Sequence, residues 1–93
     1  MEIKGYLIGN QYGDYLGKRY YWYHHENFND AWVHPEGELE GILAQSKGWD
    51  SKPTTIVRAI HDTDRKSTTL VGSPLNIQSL DIAQVRELLK RTS

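Results

Sequence analysis

The 93-residue chain contains no cysteine, only one methionine and one phenylalanine, and no long apolar run. The absence of cysteine excludes disulfides and any thiolate-based metal or catalytic site. Because small secreted domains usually depend on disulfides, we expect a cytoplasmic protein. No apolar stretch approaches the ~18 residues of a membrane span, and Met1 leads directly into charged Glu2. We therefore expect a soluble protein with no targeting segment and no membrane partner.

A strong charge of one sign is also lacking, since the formal net charge is −1. The charges are nevertheless unevenly divided along the chain. Residues 1–50 carry four cationic and eight acidic side chains, whereas residues 51–93 carry seven cationic and four acidic ones. The two halves should attract each other, or their counterparts on a second copy. The nearly neutral total argues against nonspecific DNA binding, which needs a basic field.

Aromatic residues are abundant, and they are concentrated in one segment. Six of the ten aromatic residues and three of the four histidines lie between Tyr20 and His34. Aromatic side chains fit a half-buried pleated surface, so Lys18 to His25 is predicted to be the strongest strand. Alternation would put Tyr20, Trp22 and His24 on one face and Tyr21, Tyr23 and His25 on the other. With aromatic residues on both faces, this strand is either central in its sheet or meets a partner.

The remaining periodicities predict the order β-β-(β)-α-β-β-α. Strands are predicted at Glu2 to Gly9, Lys18 to His25, Ala31 to Val33, Thr54 to His61 and Ser67 to Val71. One helix is predicted between Pro35 and Gly48, and a second after Asp81, where Gln84 completes a capping box. This order predicts a single α+β domain over residues 1–93, with a four- or five-stranded, mainly antiparallel sheet and two helices packed on one face.

Two helices on one face of the sheet cannot cover both aromatic faces of the Lys18 to His25 strand. An uncovered face that carries tyrosine and tryptophan has the composition of a protein-binding surface. We therefore predict a small interaction or accessory protein that binds a protein partner or itself and uses no cofactor. The candidate binding residues are Lys18, Arg19, Tyr21, Trp22, Tyr23, His25, Phe28 and Trp32.

Two alternative functions remain open at this stage. Lys18 and Arg19 beside stacking aromatics are compatible with binding of single-stranded nucleic acid, although the charge of the amino-terminal half disfavours it. A small enzyme would use His25, His34, His61 or Asp62, but no nucleophile elbow or phosphate loop is present, so a binding protein is favoured. The histidines match no established zinc spacing, and Asp62 to Arg65 is typical of a turn, so we expect no metal.

Overall fold

The computed structural model describes residues 1–24, 31–78 and 80–92. Its strands are β1 (Glu2–Gly9), β2 (Tyr15–Leu16), β3 (Trp22–Tyr23), β4 (His34–Pro35), β5 (Thr55–Asp62), β6 (Ser67–Leu70) and β7 (Leu75–Asn76). Its helices are α1 (Leu39–Gln45) and α2 (Ile82–Thr92), and short 3-10 turns at Glu36–Glu38 and Ser46–Gly48 flank α1. The α+β class and the two helices predicted from the sequence are confirmed.

Within the described residues the strands form one antiparallel sheet. Its strand order is β3-β2-β1-β5-β6, with β4 also pairing β1 and β7 also pairing β5. The central pair is β1 with β5, which are in register over all eight residues from Glu2 opposite Asp62 to Gly9 opposite Thr55. The outer strands are two to four residues long, so the central pair carries most of the ladder.

Alternation along β1 and β5 gives the sheet two apolar faces. On one face Tyr6, Ile8 and Ile56 pack with Leu39 of α1 and Val85 of α2. Both helices therefore pack on the same face, as predicted. On the other face Leu7, Val57 and Ala59 pack with Ala31 and Val33, which lie in the segment before β4. Each fully buried side chain of this size stabilises the fold by roughly 1.5–3 kcal/mol.

Helix α2 begins at the predicted capping box. The Asp81 backbone N–H donates to Gln84 Oε1 at 2.9 Å, and the Gln84 N–H donates to Asp81 Oδ1 at 2.8 Å. Helix α1 follows Pro35 through a 3-10 turn, which agrees with the prediction that this proline precedes a helix start. An ion pair between Arg86 Nε and Glu40 Oε1, 2.8 Å apart, links the two helices.

Three features differ from the sequence-based prediction. The predicted strand from Lys18 to His25 is wrong, because a hairpin turn occupies its first half and only Trp22–Tyr23 pairs, at the edge of the sheet. The predicted strand at Ala31 to Val33 is displaced to His34–Pro35. The described sheet has seven strands rather than four or five, because the short strands, among them β7 in a predicted loop, pair with distant residues.

The chain crosses from one face of the sheet to the other at Gly5. A Cβ on Gly5 would overlap the carbonyl oxygen of His34, so the two backbones are in direct contact there. Val33 packs on the face opposite the helices, and Glu36, one residue after β4, begins the turn that leads into α1. Only glycine at position 5 leaves room for this crossing.

No helix in the described part of the chain is long and apolar enough to cross a membrane.

Gly5→Ala should lower the free energy of unfolding by about 3 kcal/mol, because the new methyl group meets backbone atoms that cannot rotate away. The measurement is urea denaturation followed by tryptophan fluorescence. Gly41→Ala is the matched control: Gly41 lies in α1 with open space around its Cβ position, so the same change should stabilise by about 0.5–1 kcal/mol. Equal effects at the two positions would refute the crossing geometry.

Candidate interaction surface

The hairpin formed by β2 and β3 is closed by residues 17–21. The Gly17 N–H donates to the Tyr21 carbonyl at 2.8 Å, and the Tyr20 N–H donates to the Gly17 carbonyl at 3.1 Å. Tyr20 adopts a φ of 65°, in the left-handed region that usually takes glycine or asparagine. The ring of Tyr23 lies where a Cβ of residue 17 would be. Because Gly17 has no side chain, the ring of Tyr23 can pack directly against the backbone of the turn.

The left-handed conformation of Tyr20 is opposed by its side chain and costs about 1–2 kcal/mol. The ring, however, packs against two other rings. Its centroid lies 5.9 Å from that of His34 and 6.3 Å from that of Trp49. Aromatic pairs at such distances contribute about 0.5–1.5 kcal/mol each beyond the area they bury. Tertiary packing therefore holds a backbone conformation that the local sequence disfavours.

Trp22 lies on the same side of the hairpin as Tyr20. Its ring meets Trp49 edge-on at 6.3 Å, and its Nε1–H donates to the Ser51 carbonyl at 2.9 Å. Both tryptophans pack against the helix-side core. We call Tyr20, Trp22, His34 and Trp49 the inner aromatic cluster, because these four side chains fix the hairpin to the body of the protein.

His34 is the fully buried member of the inner aromatic cluster. Its Nε2 lies 3.0 Å from the Leu16 carbonyl, so Nε2 carries a hydrogen and donates it. Nδ1 lies 3.8 Å from the nearer carboxylate oxygen of Glu38. Burial lowers the pKa of His34 from its ordinary value of 6.5, an effect that the Leu16 carbonyl and Glu38 partly oppose. Burial therefore favours the neutral imidazole at pH 7.

Three tyrosines of the same region face solvent. Tyr12 is 69% exposed, Tyr21 65% and Tyr23 47%. Tyr21 and Tyr23 flank Trp22 at β3, so they point away from the side on which the Trp22 ring packs. We call Tyr12, Tyr21 and Tyr23 the tyrosine surface.

The turn that carries Tyr12 is organised by one buried asparagine. Asn10 is 6% exposed, and its Oδ1 accepts hydrogen bonds from the N–H groups of Tyr12 and Asp14, both at 3.0 Å. Its Nδ2 donates to Ser51 Oγ at 3.1 Å. Gly13 completes the turn with a φ of 82°. Tyr12 is therefore presented from a backbone that is fixed on both sides.

Two cations lie at the tip of the hairpin, next to the tyrosine surface. Lys18 and Arg19 are both exposed. The Lys18 ammonium lies 5.2 Å from the ring centre of Trp32, which is half-buried. This cation–π contact contributes about 0.5–1 kcal/mol at an exposed site. It also ties the tip of the hairpin to the segment that covers the opposite face of the sheet.

The structure brings most of the predicted binding residues into one region but divides them between two sides. Lys18, Arg19, Tyr21 and Tyr23 are exposed, whereas Trp22 belongs to the inner aromatic cluster. His25 and Phe28 lie outside the described residues.

Tyr12 was missed by the sequence reasoning, although a signal was present. It stands between Asn10 and Gly13, in a span that the sequence marks as a turn. An aromatic residue at the centre of a tight turn has no strand or helix to direct it into the core.

Three of the side chains considered for an enzyme, His34, His61 and Asp62, make contacts in packing and turns, and His25 lies outside the described residues. His61 Nδ1 lies 2.9 Å from Thr68 Oγ1. Asp62 Oδ1 accepts hydrogen bonds from the N–H groups of Asp64 and Arg65, as expected for a residue at the start of the predicted turn. The N–H of Arg65, then that of Asp64, lowers the pKa of Asp62. Among residues 1–24, 31–78 and 80–92, no three histidine or carboxylate side chains are grouped so that they could hold a metal ion.

The chain matches no protein-family model, and no curated protein or solved structure is significantly similar to it.

The burial of His34 predicts how stability depends on pH. The unfolded chain takes up a proton at His34 near pH 6.5, whereas the folded protein resists it, so the free energy of unfolding should fall as the pH drops through about 6.5. Urea denaturation at pH values from about 8 to 5.5 measures the loss. His34→Gln removes the titrating ring and should flatten the dependence. An equally steep loss in the variant would exclude His34 as its source.

Truncation of two neighbouring tyrosines should change the free energy of unfolding by very different amounts. Tyr20→Ala removes two ring contacts and should lower the free energy of unfolding by about 2 kcal/mol or more. Tyr21→Ala removes an exposed ring and should change it by no more than about 0.5 kcal/mol. Chemical denaturation of the two variants beside the parent protein provides the measurement. A larger loss for Tyr21→Ala than for Tyr20→Ala would reverse the inward and outward assignment.

Proposed function

We propose that this protein is a small interaction module that binds a protein partner, or a second copy of itself, through the tyrosine surface. The observation that carries the proposal is the exposure of Tyr12 and Tyr21, each about two-thirds open to solvent, on turns whose backbones are hydrogen-bonded in place. We further propose a cytoplasmic location, because a secreted domain of this size usually carries disulfides and this chain has no cysteine.

Rigid support of exposed tyrosines favours binding for an entropic reason. Association costs about 0.5–1.5 kcal/mol for each flexible side chain that becomes ordered, and a tyrosine has only two side-chain torsions to lose. The Tyr21 backbone is held by Gly17, and the Asn10 amide holds the Tyr12 backbone. Tyrosine also contributes both a large apolar ring and a hydroxyl, which is why it is enriched at binding hot spots.

Single-stranded nucleic acid is the second candidate ligand of this surface. It is favoured by one observation: Lys18 and Arg19 are exposed at the hairpin tip beside Tyr21. The charges around the tip of the hairpin, however, disfavour nucleic acid. Lys18 is engaged with Trp32, and the amino-terminal half of the chain has twice as many acidic as cationic side chains. A protein partner therefore fits the surface better.

A photo-crosslinking amino acid, p-benzoylphenylalanine, in place of Tyr21 or Tyr12 should give discrete protein adducts in living cells. The matched control is the same amino acid at Thr69, which is exposed on β6 at the other edge of the sheet. An adduct at twice the monomer mass would identify self-association, and other masses would identify partner proteins.

Three outcomes of this experiment would count against the proposal. They are the absence of adducts from both tyrosine positions, an identical pattern from Thr69, and adducts that nuclease digestion removes. The last outcome would favour nucleic acid. In that case binding of a labelled oligothymidylate should weaken steeply with salt and be lost in the Lys18→Gln, Arg19→Gln double variant, because phosphate contacts release counterions.

A further inference from the structure

A second surface feature, separate from the tyrosine surface, is a cleft between the two helices and the sheet. It has a volume of about 540 Å³, within the range of clefts that hold small molecules. Five apolar side chains line it, namely Tyr6, Leu39, Leu43, Val85 and Leu89. Leu43 and Leu89 are half-buried and form its accessible apolar floor, whereas Tyr6, Leu39 and Val85 are each only 3% exposed. Burial raises the pKa of the Tyr6 hydroxyl, an effect that Arg58 opposes and Glu36 reinforces.

One cation lies unusually deep in this cleft. Arg58 belongs to the central strand β5, between buried Val57 and Ala59, and its side chain is only 26% exposed. The guanidinium lies 5.3 Å from the ring centre of Tyr6. An arginine on the helix-covered face of a central strand loses hydration, so it needs hydrogen-bond acceptors close to it.

The acceptors that the described residues supply to Arg58 are few. A guanidinium has five N–H donors. Nη1 donates to Glu36 Oε1 at 3.1 Å, and Nε is buried with no acceptor among the described residues. Most of the hydrogen-bonding capacity of Arg58 is thus not used by side chains or backbone in the described part of the chain. Carboxylates and related anions are the ligands that such a donor fork fits best.

The charged side chains that line the cleft are cationic overall, and their ion pairs are replaceable. Arg58, Arg86 and Lys90 stand against two carboxylates, Glu36 and Glu40. Glu36 is 61% exposed and Glu40 55% exposed. Ion pairs with such exposed partners contribute little to stability. An anion that also buried an apolar body on the floor would therefore compete successfully for the guanidinium of Arg58.

We propose that this cleft binds a small organic acid with an apolar chain or ring, whose carboxylate contacts Arg58 and whose apolar part covers Leu43 and Leu89. The proposal is independent of the tyrosine surface, which lies on the β1–β2 turn and the β2–β3 hairpin. It requires both halves of the ligand, because neither the guanidinium nor the apolar floor is large enough to hold a partner alone.

Octanoate and 1-octanol are suitable probes, since they share a chain and differ in charge. We expect octanoate to cause saturable changes in the amide spectrum of the full-length protein at residues lining the cleft, and in the Nε–H signal of Arg58. The dissociation constant should be on the order of 1 mM or tighter. Octanol should bind about tenfold more weakly, because a charge-assisted hydrogen bond is missing.

Arg58→Gln should reduce octanoate binding to the level of octanol, and Arg65→Gln, at a position 84% exposed in the β5–β6 turn, should leave it unchanged. Arg58→Lys keeps the charge but loses the fork, and should give an intermediate affinity. The comparison of octanoate with octanol on the parent protein needs no variant, so the proposal stays testable if Arg58→Gln fails to fold. Equal binding of the two probes, no binding, spectral changes away from the cleft, or unaltered octanoate affinity in folded Arg58→Gln would overturn it.

Discussion

The eight-residue pairing of β1 with β5 is the constraint on which the other elements depend. Because side chains alternate along a strand, this register puts Tyr6 and Ile8 under the helices and Leu7 on the opposite face. A shift by one residue would exchange the two faces, turning Tyr6 and Ile8 away from the helices and Leu7 towards them. The same register sets Arg58 opposite Tyr6, and so produces the cation at the floor of the cleft.

The hairpin that carries the tyrosine surface depends on side-chain contacts more than on the ladder. β2 pairs with β1 only at Gly9 and Tyr15. The imidazole of His34 compensates for this short ladder, since it donates to the Leu16 carbonyl and packs against Tyr20. A buried neutral histidine thus connects the segment that crosses the sheet with the hairpin at its edge.

Much of the architecture could be predicted from local patterns. Alternating and β-branched residues predicted β1, β5 and β6, and the Asp81 capping box predicted the start of α2. The strand predicted from Lys18 to His25 is wrong, because the prediction gave the strand propensity of the aromatic residues more weight than the turn preference of Gly17. No local rule indicates a left-handed tyrosine, whose conformation depends on rings distant in the sequence.

The positions of the predicted binding residues could be predicted only in part. Alternation separates Tyr21 and Tyr23 from Trp22, since that relation needs only a local extended backbone. Which set faces outward was not predictable, because it depends on Trp49 and His34, which lie later in the chain and meet the inner set only in the folded protein. The place of Arg58 under the helices follows from the β1–β5 register, which no local pattern gives.

The tyrosine at position 20 shows how the hairpin is fixed to the rest of the protein. A glycine would adopt the turn conformation without strain, but it would leave the hairpin without its contacts to His34 and Trp49. Tyr20 instead has an unfavourable backbone angle, and its ring contacts hold the hairpin in place. Backbone strain that the surrounding structure must hold in place is concentrated where positioning matters. Here it positions Tyr21, the next residue, away from the core and into solvent.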